Sequence, residues 1–260
     1  MSQIWIGTSG WVYRHWMGIF YPTGPDRLPA DAQLPFFARH FPTVEVNFSF
    51  YRLPEREVFE TWRRQTPPGY LFAVKASRYL AHMKKLKEPE EPLARLMERA
   101  TGLQEKLGPI LFQFPHTWRA NLPRLDAFID ALTPYEATGQ RFAFEFRHQT
   151  WLVPEVYTLL ERHNAALCLP VHPHVPIDPR LTADWTYIRF HAGLHGIGLS
   201  EDELRFWASR LDSYRRTGAT VYAYFNNDPE GHALRDATRL AQLLDIPNVG
   251  VGQQIIPAAA

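Results

Sequence analysis

Two short segments concentrate groups capable of chemistry: Phe144-Glu145-Phe146-Arg147 and Arg189-Phe190-His191. In each, charged residues alternate with phenylalanine. Alternation is the period of a β-strand, whose successive side chains point to opposite faces. Phe142, Phe144 and Phe146 then share one face, and Ala143, Glu145 and Arg147 the other. Ile188 and Phe190 likewise oppose Tyr187, Arg189 and His191. The pattern recurs in Val44-Glu45-Val46-Asn47-Phe48, Phe72-Ala73-Val74-Lys75-Ala76 and Leu111-Phe112-Gln113-Phe114. Five apolar runs thus end in polar groups on one face, as the strands of a closed parallel barrel do at an active-site rim.

Adding Asn226 from the last apolar run gives one rim set. Glu45 and Glu145 are its candidate acid and base, with His191 as a second proton carrier. Arg147 lies two residues from Glu145 on the same face and should keep it ionised. Glu45, with no cation so near in sequence, is expected to hold its proton more readily. Lys75, Arg147 and Arg189 outnumber the carboxylates, and barrel helices point their N-termini at the same rim. The expected ligand is therefore a small anion, a phosphate ester or carboxylate, held by those three cations. Asn47, Gln113 and Asn226 would orient it. An internal salt-bridge network with no chemistry attached would use the same residues, although burying so many charges is costly.

Two loops flank this set. Trp11 and Tyr13, in the segment after the first strand, either stack on a planar or sugar-like ligand or plug the barrel mouth. The basic run from Arg78 to Lys87 is either a solvated face or a clamp on phosphates. Neither metal nor cofactor is expected. There is no cysteine cluster and no helical Glu-x-x-His, and the nearby cations compete for the carboxylates. His172-Pro173-His174 lies in a proline-rich stretch and reads as an exposed turn. Glycoside hydrolysis needs paired carboxylates. The familiar barrel glycosidases carry them after strands 4 and 7, where Gln113 and Arg189/His191 stand here.

Eight strands must position these groups: Ile4–Thr8, Val44–Phe48, Leu71–Ala76, Ile110–Phe114, Phe142–Arg147, Ala166–Leu169, Thr186–His191 and Val221–Asn226. Helical spacing fills most of the intervals: Gln33–Phe41, Glu55–Gln65, Glu91–Lys106, Leu122–Leu132 and Val153–His163. Ser200-Glu201-Asp202-Glu203 reads as a capping box for a helix reaching Arg216. Asp228-Pro229-Glu230 opens the last helix, to Leu244. Val171–Trp185 holds Pro173, Pro176 and Pro179 and cannot sustain a helix. The expectation is an α/β fold: one TIM-type (β/α)8 barrel over residues 1–260 with a degenerate sixth helix.

The chain has 260 residues, 45% hydrophobic and 21% charged, with a formal charge of +1 that gives no global reason to expect nucleic acid or membrane. One cysteine, Cys168, excludes an internal disulfide framework and suits a reducing, cytoplasmic setting. No apolar run reaches the roughly 18 residues of a membrane span, and no signal peptide is visible.

Several segments together resemble the YecE-like family (domain of unknown function 72). They are Gly7-Thr8-Ser9-Gly10-Trp11, Val44-Glu45-Val46-Asn47 with Phe50-Tyr51, Lys75, Gln113-Phe114-Pro115, Glu145-Phe146-Arg147-His148 with Trp151, Arg189-Phe190-His191-Ala192-Gly193, and Tyr224-Phe225-Asn226-Asn227. The resemblance runs from residue 3 to about residue 245. Each motif alone is weak and the combination is specific. Ala192 departs from the family pattern, which has glycine there. The resemblance implies a TIM-type barrel and no particular reaction. The functional expectation is a metal-independent enzyme using acid/base chemistry on a small anionic substrate. The alternatives are a protein that binds or processes nucleic-acid phosphodiesters and a non-catalytic ligand-binding barrel.

Overall fold

In the computed structural model, which describes residues 3–247 and 249–250, eight parallel strands close in chain order. They are β1 (Ile4–Ser9), β2 (Thr43–Val46), β3 (Leu71–Lys75), β4 (Leu107–Gln113), β5 (Phe142–Glu145), β6 (Ala166–Val171), β7 (Trp185–Phe190) and β8 (Thr220–Phe225). β8 pairs with β1 from Ile4↔Val221 to Thr8↔Phe225, which removes both sheet edges. The helices are α1 (Ala30–Phe37), α2 (Arg56–Gln65), α3 (Glu90–Ala100), α4 (Leu122–Asp130), α5 (Thr133–Glu136), α6 (Pro154–Arg162), α7 (Glu201–Arg216) and α8 (His232–Leu243). No helix separates β6 from β7, where the three prolines fall. This is a TIM-type barrel with its sixth helix missing.

The two-residue period decides which side chains meet inside. Ala73, Leu111, Ala143, Cys168, Tyr187, Tyr222 and Tyr224 form an apolar cluster within the barrel. Outside, Phe112, Phe114, Phe142, Phe144 and Phe146 join the larger core under the helices. Phe146 stacks on Trp151 with ring centroids 4.8 Å apart. β1 approaches β2 so closely that a Cβ at Gly7 would lie 2.2 Å from the Thr43 carbonyl oxygen, so only glycine fits.

Three of the boundaries that differ from the sequence expectation have a plain local cause or consequence. β2 stops at Val46 because Asn47 is already helical (φ −88°, ψ −24°) and Phe48–Phe50 forms a single tight turn. β5 ends at Glu145, so Arg147 sits just past the strand. α8 begins at His232, because the Pro229–Gly231 turn holds Glu230 at φ 56° and cannot merge into the helix. At α7 the capping box forms as expected: Ser200 accepts from the Glu203 amide, and the Glu203 carboxylate accepts from the Ser200 amide.

Candidate active site at the barrel mouth

The C-terminal ends of β2, β5 and β7 bring Glu45, Glu145 and Arg189 into contact across the barrel. Arg189 donates from Nε and Nη2 to Glu45 at 2.9 and 2.8 Å, and from Nη1 to Glu145 Oε2 at 2.7 Å. The remaining acceptor positions are filled too. Ser9 Oγ donates to Glu45 Oε1 at 2.6 Å, and Tyr187 Oη to Oε2 at 2.7 Å. Arg147 Nε and Gln113 Nε2 donate to Glu145 Oε1 at 2.6 and 2.9 Å. Both carboxylates are 0% exposed and Arg189 is 1% exposed.

This saturation corrects two expectations. Glu45 does not lack a cation. Burial alone would raise its pKa, but the bidentate Arg189 guanidinium outweighs that and holds it below the ordinary carboxylate value. Glu145 is held well below that value by the same balance, with Arg147 adding to Arg189. The pair is therefore ionised together rather than split into an acid and a base. Nor does Arg189 face open solvent: it is buried, with three of its donors on the two carboxylates and one toward His191. Sequence alternation found the residues but not this pairing, which follows from barrel closure.

The groups above this buried triad face the mouth. His191 Nε2 lies 3.3 Å from Arg147 Nη2 and 3.4 Å from Arg189 Nη1, both of which can only donate. Nε2 therefore carries the lone pair and Nδ1 the proton. Nδ1 is 3.0 Å from the Asn226 amide, which must turn its oxygen inward to accept. The Asn226 amide nitrogen then faces Asn47 at 3.0 Å, and the Asn47 amide must turn likewise so that its oxygen accepts. Burial holds His191 below its ordinary value; Glu145 opposes this and Arg189 adds to it. His191 is thus held toward its neutral, accepting form.

Lys75 differs from its neighbours. It is 6% exposed, and its Nζ lies 4.0 Å from the centre of the Phe50 ring. Among the described residues no carboxylate or carbonyl accepts from it. Burial pulls its ammonium down to about 7, with Arg189 and Arg147 adding to the effect and Glu145 and Glu45 opposing it.

The loop after β3 supplies a residue that sequence reasoning missed. His82 lies in a π-helical turn (Tyr79–Met83), against the Phe50 ring at 5.0 Å and 81°. Among the described residues its buried Nε2 has no hydrogen-bond partner. Burial lowers its pKa, and Lys75 and Arg147 act on it in the same sense. A histidine in a loop has no period to betray it. Lys85, Leu86 and Glu88 nearby all have positive φ (47°, 63° and 43°), a strain that tends to gather at ligand-handling segments.

Tyr13 and Trp11 flank the mouth rather than fill it. Tyr13 Oη donates to the Ser9 carbonyl, and Trp11 packs edge-on against Trp62 of α2 at 5.1 Å. With Asn47, Phe48 and Val12 they line a cavity of about 380 Å³ beside the rim. His172 and His174 lie together on the exposed turn, 5.6 Å between rings. Among the described residues no group of three His, Cys, Asp or Glu side chains could hold a metal ion, and no helix is long and apolar enough to cross a membrane.

The family model described as "Protein of unknown function DUF72" matches residues 5–260. The UPF0759 protein YecE of Escherichia coli K12 is 26% identical over 250 residues, covering 86% of each chain. The UPF0759 protein YunF of Bacillus subtilis is 24% identical over 283 residues, covering 96% of this chain and 97% of its own. The crystal structure of a DUF72 family protein from Thermotoga maritima superposes with a TM-score of 0.77 at 27% identity, covering 94% of this chain and 99% of that one. One from Enterococcus faecalis, at 19% identity and a TM-score of 0.73, covers 94% of this chain and 96% of its own and shares the fold.

Proposed function

This chain belongs to the DUF72 family, and from the geometry of its barrel mouth we propose a metal-independent enzyme that moves protons on a small phosphorylated or carboxylated substrate. The observation that carries this reading is Lys75, a nearly buried amine with no acceptor among the described residues, under the influence of permanently charged guanidiniums. A general base works best when its pKa lies near the working pH. Glu45 and Glu145 are too firmly ionised and too fully bonded for that role, and their lone pairs are equally unavailable to a metal ion. They form the floor that fixes Arg189 and Arg147.

Arg147 anchors the anion. Its Nε serves Glu145, while its side chain keeps 27% exposure toward the mouth. Asn47 and Asn226 orient the remainder of the ligand, and His191 accepts from the anchoring guanidinium. The unpaired, buried cysteine suits a reducing compartment, and we place the protein in the cytoplasm.

Calorimetric titration with inorganic phosphate and with a panel of phosphorylated and carboxylated metabolites tests this. At least one anion should bind the wild type and lose at least tenfold in affinity on Arg147→Ala. Lys75→Met should abolish turnover of that ligand while leaving its affinity within a few-fold. Absence of binding by every anion would overturn the reading. A second reading draws on the exposed rings at the rim: Tyr51, 69% exposed beneath Arg78 at 5.8 Å, and Phe48, 60% exposed. Such a platform suits single-stranded nucleic acid, and salt-sensitive oligonucleotide binding lost on Tyr51→Ala would favour it.

A further inference from the structure

We infer that Lys75 is a nucleophile that forms an imine with the carbonyl carbon of an anionic aldehyde or keto acid. The inference rests on the proposed anion site, with Arg147 holding the carboxylate or phosphate of the same molecule.

This chain carries 28 Lys and Arg residues, of which only Lys75, Lys84, Lys85, Lys87 and Lys106 are lysine. Where it needs a fixed positive charge at the mouth it uses arginine, at 147 and 189. Arginine cannot give up its proton in a protein and is no nucleophile. A lysine in this arginine-rich surrounding supplies what guanidinium cannot, a nitrogen lone pair.

The other lysines with assigned contacts behave differently. Lys106 donates to the Arg63 and Thr66 carbonyls at 2.7 and 2.6 Å, and Lys84 pairs with Glu88 at 2.7 Å. Among the described residues Lys75 has neither kind of partner. Its Nζ lies over an aromatic face that can accept no proton from a neutral amine in place of substrate. Two guanidiniums nearby and the lack of a free carboxylate disfavour the ammonium, so the lone pair is available near neutrality.

In the first step the Lys75 nitrogen bonds to the carbonyl carbon and the C=O π pair moves to oxygen, which takes one of the two N–H protons, giving a carbinolamine. In the second step the C–O bond breaks, the second N–H proton leaves with the hydroxyl as water, and the nitrogen pair forms C=N. No oxidant or reductant is consumed.

The test is trapping with glyoxylate and cyanoborohydride at pH 7, followed by digestion and mass mapping of the lysines. The expected result is one adduct, on Lys75, absent from Lys75→Arg. Inorganic phosphate should compete with its formation. An adduct spread over Lys84, Lys85 and Lys87, unchanged by Lys75→Arg, would overturn the inference. So would no adduct on a protein that still binds phosphate, and the anion site would then stand without the imine. No adduct together with no anion binding would remove both.

Discussion

Replacing Arg189 with methionine should invert how this protein's stability depends on pH. In the wild type Arg189 makes three charge-assisted hydrogen bonds of 2.7–2.9 Å to two fully buried carboxylates. Each such bond contributes about 1.5–3 kcal/mol, and removing one member of a buried ion pair costs about 3–5 kcal/mol. The variant has one escape, protonation of a carboxyl. From an ordinary value near 4.4, that costs about 3.5 kcal/mol at pH 7 and about 0.8 kcal/mol at pH 5. The deficit should therefore shrink by roughly 2.7 kcal/mol between pH 7 and pH 5. The wild-type carboxylates have folded pKa values below their unfolded ones. Their contribution is complete above the ordinary carboxylate range and is lost as pH falls through the folded values. In Arg189→Met the folded value of at least one carboxyl rises above the unfolded value, so stability falls as pH climbs from 5 to 7. Urea unfolding at pH 5, 6 and 7, followed by the fluorescence of the eight tryptophans, measures both slopes. A loss below about 1 kcal/mol at pH 7, or a loss constant across that range, would refute the buried-triad description.

Three further outcomes follow from the same geometry. Lys75→Met should stabilise the protein, and more at pH 6 than at pH 9. The folded lysine's pKa lies near 7, below its unfolded value, so its penalty is complete below 7 and fades toward the ordinary lysine range. Arg189, Arg147, Glu45, Glu145 and His82 are the ionisable groups around it, and thermal melts at the two pH values would check the sign. Gly7→Ala should cost about 3 kcal/mol or more, because its Cβ meets the Thr43 carbonyl at 2.2 Å; a melting temperature within 2–4 °C of wild type, on the order of 1 kcal/mol for a chain of this size, would contradict that close approach. Cys168 should resist thiol reagents in the native protein and react on unfolding, since burial and Glu145 push its thiol well above the ordinary value. Rapid modification of the folded chain would show the barrel interior to be open.

Alternation made much of this barrel legible in the sequence. Glu45, Glu145 and Arg189 fall on the inward face because the strand period is two, and Asn47, Arg147 and His191 follow just past the strand ends. The proline-rich stretch between β6 and β7 marked the missing helix for an equally local reason. Partnership was not legible. Arg189 is nearest in sequence to His191, yet its partners are Glu45 and Glu145 on other strands, and only closure of the barrel brings them together. For the same reason Glu45 was expected to lack a cation. Tyr187 and Ser9 share the alternation of the rim residues, and that signal could have placed them on the carboxylates. His82 had no such signal, since a loop's path depends on tertiary contacts such as the burial of Leu86.

The pKa of Lys75 tests the proposed chemistry most directly. Labelling the five lysines with carbon-13 at Cε and titrating by NMR, with Lys75→Met to assign its signal, reads the protonation of that amine alone. A midpoint near 7 that rises when a bound anion occupies the mouth is the predicted result. A midpoint at the ordinary lysine value of about 10.4, unmoved by any anion, would contradict it.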